Sequence, residues 1–297
     1  MIQDNNSAFA GEFHKSSESE LFWLTDNGSL RPEATLMLRA LSKDVSQRLG
    51  REVLPVSLLH SSKIDPELLD GKPAQTFERS VKAAYEAGKK NINIQPLFFG
   101  PSAALTEYLP ERIRILSKKR EGLKVEIARP LVQRGENTPD WLLDILEDFA
   151  HQLKRDHPEI KNWLLVDHGS PRKEVAEVRD RIAEDFNTRW RANHPGERVK
   201  PASMERREGE AYAFCDPLLE NAPEAYGFEG GAVGVLMLFF LPGRHAGPCG
   251  DVAEIIEGVE ERMPGLKLYM SPLFSEHPKL AQVLAERIGL GRMKDEG

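Results

Sequence analysis

Short apolar runs and amphipathic helical stretches alternate along almost the whole chain, and few folds accept that pattern. Residues 53–59 (VLPVSLL), 91–99 (NINIQPLFF) and 125–128 read as buried strands. Around them, 31–49, 76–87, 105–116 and 141–153 read as helices, the first with Leu38, Leu41, Val45 and Leu49 on one face. The order then begins again. Strands are expected at 163–166, 199–204, 233–241 and 266–270, with helices at 174–190, 251–262 and 278–288. The helix at 174–190 carries Val175, Val178, Ile182 and Phe186 on one stripe. Apolar strands separated by helices predict an α/β protein whose mostly parallel sheets are covered on both faces.

The second pass reads as a copy of the first, so an internal duplication at domain scale is expected. LLHSS (58–62) is matched to LVDHGS (165–170), and PLFFGPSAALTEYLPERI (96–113) to LFFLPGRHAGPCGDVAEII (238–256). VEIARPL (125–131) is matched to LKLYMSPL (266–273). The charged stretch at 154–161 marks the boundary. This gives a terminal segment at 1–30 (loose over residues 1–18), an N-terminal lobe at 31–156 and a C-terminal lobe at 157–297. On this matching, His60 to Ser102 spans 42 residues and His168 to His245 spans 77, which reads as loss of a strand-bearing unit from the first copy.

Composition excludes several function classes. The net charge of −7 argues against general affinity for nucleic acid, which needs a basic face. The longest apolar run, 232–241, is too short to span a bilayer, and the first residues lack the pattern of a signal peptide. Two well-separated cysteines, Cys215 and Cys249, form no disulfide framework and suit a reducing, cytoplasmic compartment. No phosphate-binding glycine motif opens a helix after a strand, so no nucleotide is expected.

Three residues at expected strand ends are candidates for chemistry. His168, in DHGS, follows a strand and precedes a helix, the position where open α/β sheets bind ligands. His245, in LPGRHAGPCGD, follows another buried strand; Asp251 either caps the next helix or orients that histidine. Glu205 ends the short strand at 199–204. Each has a plain structural alternative: a strand-end histidine, a glycine-rich turn, a solvated glutamate. Together, two imidazoles and a carboxylate suit a borderline divalent metal with positions left open. Ser170 begins the helix after His168, and Arg172, Lys173, Arg206, Arg207 and Arg244 form a local basic group in an acidic protein. They are either ordinary solvated charges or a grip for a polyanion. Cys249 reads as turn filler rather than a ligand, and Asp167 before His168 argues against a phosphohistidine-type phosphatase.

LLVDHGS, then SME, then LFFLPGRHAGPCGDVAEI resemble the CbiX family of sirohydrochlorin cobaltochelatases, most strongly over 160–290. The chain is similar to the long, two-lobed form of that family and to the class II chelatase fold. The resemblance implies two α/β lobes facing a central cleft, the first a degenerate copy. It implies that His168 and His245 bind a divalent metal substrate, with Glu205 as the acidic residue of the site. Cofactor-like contacts to the ring would come from Ser170, Arg172, Arg206, Arg207 and Arg244. The implied activity is insertion of Co²⁺, alternatively Ni²⁺ or Fe²⁺, into sirohydrochlorin without ATP, in tetrapyrrole and cobalamin biosynthesis. Histidine's ordinary pKa of about 6.5 suits acceptance of the pyrrole protons. Asp167 departs from the family's usual small residue. The implied partner is the tetrapyrrole, with no nucleic acid or membrane, in a monomer or homodimer. The other reading is a non-catalytic metal or tetrapyrrole carrier.

Overall fold

The computed structural model describes residues 20–247 and 249–293. The expected loose terminus at 1–18 lies outside the described residues. The first sheet holds β1 (Glu20–Asp26), β2 (Val53–Ser57), β3 (Asn91–Pro96) and β4 (Lys124–Ile127), in the order β2-β1-β3-β4. Its pairings are all parallel. Helix α1 (Pro32–Leu49) joins β1 to β2, α2 (Phe77–Glu86) precedes β3, and a wide π-type turn at Ala104–Tyr108 leads into α3 (Leu109–Ser117).

The second sheet repeats this. It holds β5 (Asn162–Asp167), β6 (Arg198–Ser203), β7 (Gly231–Met237) and β8 (Leu266–Met270), ordered β6-β5-β7-β8 and again parallel. Its helices are α4 (Asp140–Asp156), α5 (Lys173–Asn193), the short α6 (Ala222–Ala225) and α7 (Asp251–Arg262), and α8 (Pro278–Met293) ends the described chain.

Two compact units contain these elements. Of the described residues, those from 20 to 98, Ala103–Leu131 and 281–293 form one; Phe99–Ser102 and Val132–Leu280 form the other. Helix α4 therefore lies with the second sheet, and most of α8 with the first. In the first unit, Arg287 of α8 donates to the carbonyl of Arg129 at 2.9 Å. Trp23, Val56, Phe77, Val81 and Ile94 fill the core of that unit, and Leu164, Val166, Val233, Val235 and Val252 that of the second. Among the described residues no helix is long and apolar enough to cross a membrane.

The duplication is real, but its alignment differs from the sequence-based one. The first strand is β1, not the run at 53–59, and it pairs on both sides within its sheet. ELFWLTD shows no period-two alternation because Leu21, Phe22, Trp23 and Leu24 are all buried. The polar sequence before it carries no amphipathic pattern to announce an α/β repeat. Asp26↔Ser57 and Asp167↔Ser203 occupy the same register, so Asp26-Asn27-Gly28 matches Asp167-His168-Gly169. Both lobes thus keep all four strands, and nothing was lost from the first. His60 stands at the level of Arg206, and Asn27 at that of His168. Leu97 and Leu238 make equivalent bonds, to Thr25 and Val166, so Ser102 stands with Gly243 rather than His245.

Trp163 of β5 lies flat against β7 at a glycine. A Cβ on Gly234 would sit 2.2 Å from Trp163 Cε3. The ring cannot swing aside, because its Nε1 donates to the buried Glu197 carboxylate at 2.9 Å. Gly234→Ala is therefore expected to destabilise the second unit by about 3 kcal/mol, as overpacking does. A urea titration followed by tryptophan fluorescence checks this; an unchanged midpoint contradicts the packing.

Candidate metal-handling site

The strand order places a topological switch point between β5 and β7. From β5 the chain crosses to β6 on one side, then returns over the sheet to β7 on the other. Ligands of open parallel sheets bind where the two connections part, beyond the strands' carboxyl ends. His168 follows β5 and His245 follows β7, so each flanks this point. Their ring centroids are 4.5 Å apart with planes at 82°.

The turn carrying His168 is built from close backbone packing. The β5–β6 ladder runs past the strand ends, with Met204 N–H donating to Asp167 O at 2.7 Å and Glu205 N–H to His168 O at 3.1 Å. Gly169 has φ +88°, and a Cβ there would lie 1.9 Å from the Glu205 carbonyl oxygen. Only glycine fits. This crowding brings Glu205 under His168, where Nε2 of the histidine lies 3.5 Å from Glu205 Oε1. Both side chains are about half exposed, which leaves them accessible to a ligand.

Each imidazole has its Nδ1 engaged. His168 Nδ1–H donates to the Gly169 carbonyl at 2.9 Å, and His245 Nδ1–H to Asp251 Oδ2 at 2.7 Å. A carbonyl and a carboxylate only accept, so the proton in each contact sits on Nδ1. The lone pair of each neutral ring is then on Nε2, the form able to ligate a metal. Asp251 opens α7 and also lies 3.5 Å from Arg244 Nε. Backbone bonds from Asp251 N–H to Arg244 O and from Val252 N–H to His245 O close the loop.

Behind His168 the second unit buries a charged group. Asp167 Oδ1 accepts from Gly169 N–H at 3.1 Å and Ser203 Oγ at 2.8 Å, and faces Arg179 Nη1 at 3.7 Å. Burial pushes the Asp167 carboxyl above the usual carboxylate range; Arg179, Ser203 and the neighbouring groups oppose it without cancelling it. In the first unit Asp26 makes the same turn, and burial likewise raises its pKa against bonds from Ser57 and Gly28.

The remaining candidates are distributed more widely. Ser170 Oγ accepts from Arg172 N–H at 3.1 Å, and Arg172 Nε faces Glu174 at 3.6 Å. Arg206 pairs with Asp216 at 2.9 Å and donates to Gly209 O, while the Arg207 guanidinium lies 5.8 Å from the centre of the Tyr212 ring. Arg244, three-quarters exposed, is the basic residue adjoining a candidate histidine in sequence and through Asp251. Cys215 is buried and Cys249 exposed. Among the described residues, no group of three or more His, Cys, Asp or Glu is already arranged to hold a metal ion. The candidates make two pairs, His168 with Glu205 and His245 with Asp251, that meet across the two rings.

Arg179 and Ser203 are missing from the sequence-based set. A signal was present: Arg179 lies four residues after Val175 and three before Ile182, on the apolar stripe of α5. A charge on a buried stripe requires partners.

The family model described as CbiX matches residues 162–289. Among solved structures, SirB from Bacillus subtilis with Fe³⁺ aligns with a TM-score of 0.63 and 13% identity, covering 91% of this chain and 94% of that one. The sirohydrochlorin chelatase SirB from Bacillus subtilis subspecies spizizenii in complex with cobalt aligns at 0.61 and 13%, covering 90% and 93%. CbiX, described as the terminal enzyme of siroheme biosynthesis in denitrifying bacteria, aligns at 0.56 and 17%, covering 91% and 98%. No curated protein matches the chain. The chain has the two-lobed chelatase-like fold, and its segment 162–289, which holds His168, Glu205 and His245, is the part similar to the CbiX family.

Proposed function

We propose that the protein inserts a divalent metal into sirohydrochlorin without using a nucleotide, with Co²⁺ as the first candidate and Ni²⁺ or Fe²⁺ as alternatives. The observation that carries this reading is the pair of facing imidazoles at the switch point, both with Nδ1 engaged and Nε2 left to bind. In this reading His168 and His245 hold the ion as substrate. Two imidazoles leave most of the coordination sphere open, so the ion can pass to the ring nitrogens. A closed cage of protein ligands would instead retain it. Glu205, beside His168 Nε2, accepts protons released from the pyrrole nitrogens or shares the ion. Arg244, with Ser170, Arg172, Arg206 and Arg207, meets the carboxylates at the ring's edge; guanidinium groups suit that planar acceptor. The first lobe, with Asn27 and Leu59 at the levels of His168 and Glu205, contributes no equivalent ligands.

The test is an absorbance time course of the protein with sirohydrochlorin and each of Co²⁺, Ni²⁺ and Fe²⁺, against a protein-free control. Multiple turnovers above background with any of the three support the reading and rank the metals. Stoichiometric binding without acceleration by any of them favours a carrier.

A further inference from the structure

We propose that Arg179 is the positioning residue of this site: a buried guanidinium that sets the spacing of His168 and Glu205 without touching either. This rests on the metal-handling reading above. Arg179 comes from the middle of α5 and is 2% exposed, yet its fork reaches four residues in three parts of the chain. Nη1 donates to Ser203 Oγ and, at 3.3 Å, to Cys215 O; Nη2 donates to Phe214 O at 3.2 Å. Nε and Nη2 both meet Asp180 Oδ1, at 2.9 and 2.7 Å.

The consequences run straight to the site. Ser203 donates its hydroxyl hydrogen bond to Asp167 Oδ1, and the same oxygen accepts from Gly169 N–H, so the turn bearing His168 is fixed through one carboxylate oxygen. Ser203 is also the last residue of β6, two before Glu205. Cys215 Sγ donates to Ser170 O at 3.3 Å, and Asp216 beside it holds Arg206. The guanidinium thus braces the end of β5, the end of β6 and the segment 210–215 against one another.

The first unit builds the same turn from Asp26, Gly28 and Ser57, and its Gly28 has the same close approach, 1.9 Å, to the Leu59 carbonyl. From Asp26 to the start of α1 and from Asp167 to the start of α5 the spacing is identical, which sets Leu38 at the level of Arg179. Leu38 is fully buried. The turn therefore folds without an arginine. The lobe that carries His168 and Glu205 has the brace, and the lobe with Asn27 and Leu59 has leucine. A buried guanidinium costs desolvation that leucine avoids, so its presence in this lobe alone points to the site rather than to the fold.

Arg179→Leu copies the first lobe and Arg179→Lys keeps the charge without the fork. The experiment measures KM for Co²⁺ and for sirohydrochlorin separately, with a Co²⁺ visible-absorption titration in the absence of ring, on the full chain. Loss of an outer support of a metal ligand typically weakens metal binding about 10–100-fold. For Arg179→Leu, the expected result is a Co²⁺ KM raised about tenfold or more with the ring KM within about twofold, and an altered cobalt spectrum; Arg179→Lys should not rescue it. A folded Leu variant with unchanged Co²⁺ KM, or with both KM values raised alike, overturns the proposal. Should Arg179→Leu fail to fold, Ser203→Ala decides, with a smaller rise in Co²⁺ KM expected and no rise overturning the idea. If the wild type turns nothing over, the chelatase reading fails, and the cobalt titration alone judges Arg179: equal affinity in wild type and Leu variant sinks it. A wild type that binds none of Co²⁺, Ni²⁺ and Fe²⁺ sinks both.

Discussion

His168→Ala and His245→Ala should each lower the rate of metal insertion by at least about 100-fold while leaving thermal stability nearly unchanged. The asymmetry follows from where the groups sit. Both rings lie beyond strand ends, with 45% and 31% of their side chains exposed, so little core packing is lost on truncation. Surface changes of that kind usually cost within about 0.5 kcal/mol. Removing one of the two imidazoles proposed to hold the metal is different, since among the described residues no larger group of His, Cys, Asp or Glu is arranged to replace it. The two variants should also differ from each other. His245→Ala strips Asp251 of its 2.7 Å partner but leaves Arg244 beside it, so the carboxylate stays compensated. His168→Ala leaves Glu205 half exposed and without its imidazole neighbour, still able to attract a cation. His245→Ala is therefore expected to lose Co²⁺ affinity more completely. Initial rates and cobalt titrations on both variants, with melting curves alongside, check this. Activity within tenfold of wild type for either would mean that the facing rings are not the site.

The sequence made the second lobe more legible than the first, for a physical reason. WLLV followed by Asp-His-Gly-Ser is a buried strand with a turn whose residue types demand a function or a tight bend, and both the strand and His168 were readable from it. Glu205 and His245 were readable as the ends of the next two strands of that lobe. The equivalent run in the first lobe, ELFWLTDNGS, is as good a strand, but in sequence it follows a polar stretch without an amphipathic pattern. Taking the histidine of LLHSS as the marker sets the first lobe's second strand against the second lobe's first, while the matches of 96–113 with 238–256 and of 125–131 with 266–273 pair equivalent strands. Had DNGS been set against DHGS, the equal spacing to the following helix would have shown both lobes complete. The arginines show the opposite limit. Their clustering in sequence is plain, but whether a guanidinium faces a ligand or an internal partner depends on three-dimensional neighbours. Arg206 turns to Asp216, and Arg179 to the backbone of residues 214 and 215.

Glu197→Ala should cost the second unit about 3–5 kcal/mol, the usual cost of breaking a buried ion pair from one side. Glu197 precedes β6, is 7% exposed, and gathers partners from three other elements. Its Oε2 accepts from the indole N–H of Trp163 in β5 at 2.9 Å and of Trp190 in α5 at 2.8 Å. Its Oε1 takes Lys154 from α4, whose Nζ also donates to Ile160 O at 3.2 Å. Alanine would leave two fully buried indole donors unpaired and an ammonium without its counter-charge. Glu197→Gln keeps an acceptor for the indoles and should lose less. Acid tests the same contact. Burial pushes the Glu197 carboxyl up, but the bonds from Lys154, Trp163 and Trp190 outweigh it and hold its pKa below the ordinary value. A depressed carboxylate stabilises the folded state fully above its unfolded pKa, about 4.3, and that contribution fades as pH falls through the folded value. The melting-temperature gap between wild type and Glu197→Ala should therefore be of the order of 10 °C at pH 7 and narrow steadily below about pH 4. Melts followed by tryptophan fluorescence read both arms, since Trp163 and Trp190 report on the contact itself. A gap that stays the same in acid would show that the ionised carboxylate is not what holds these four elements together.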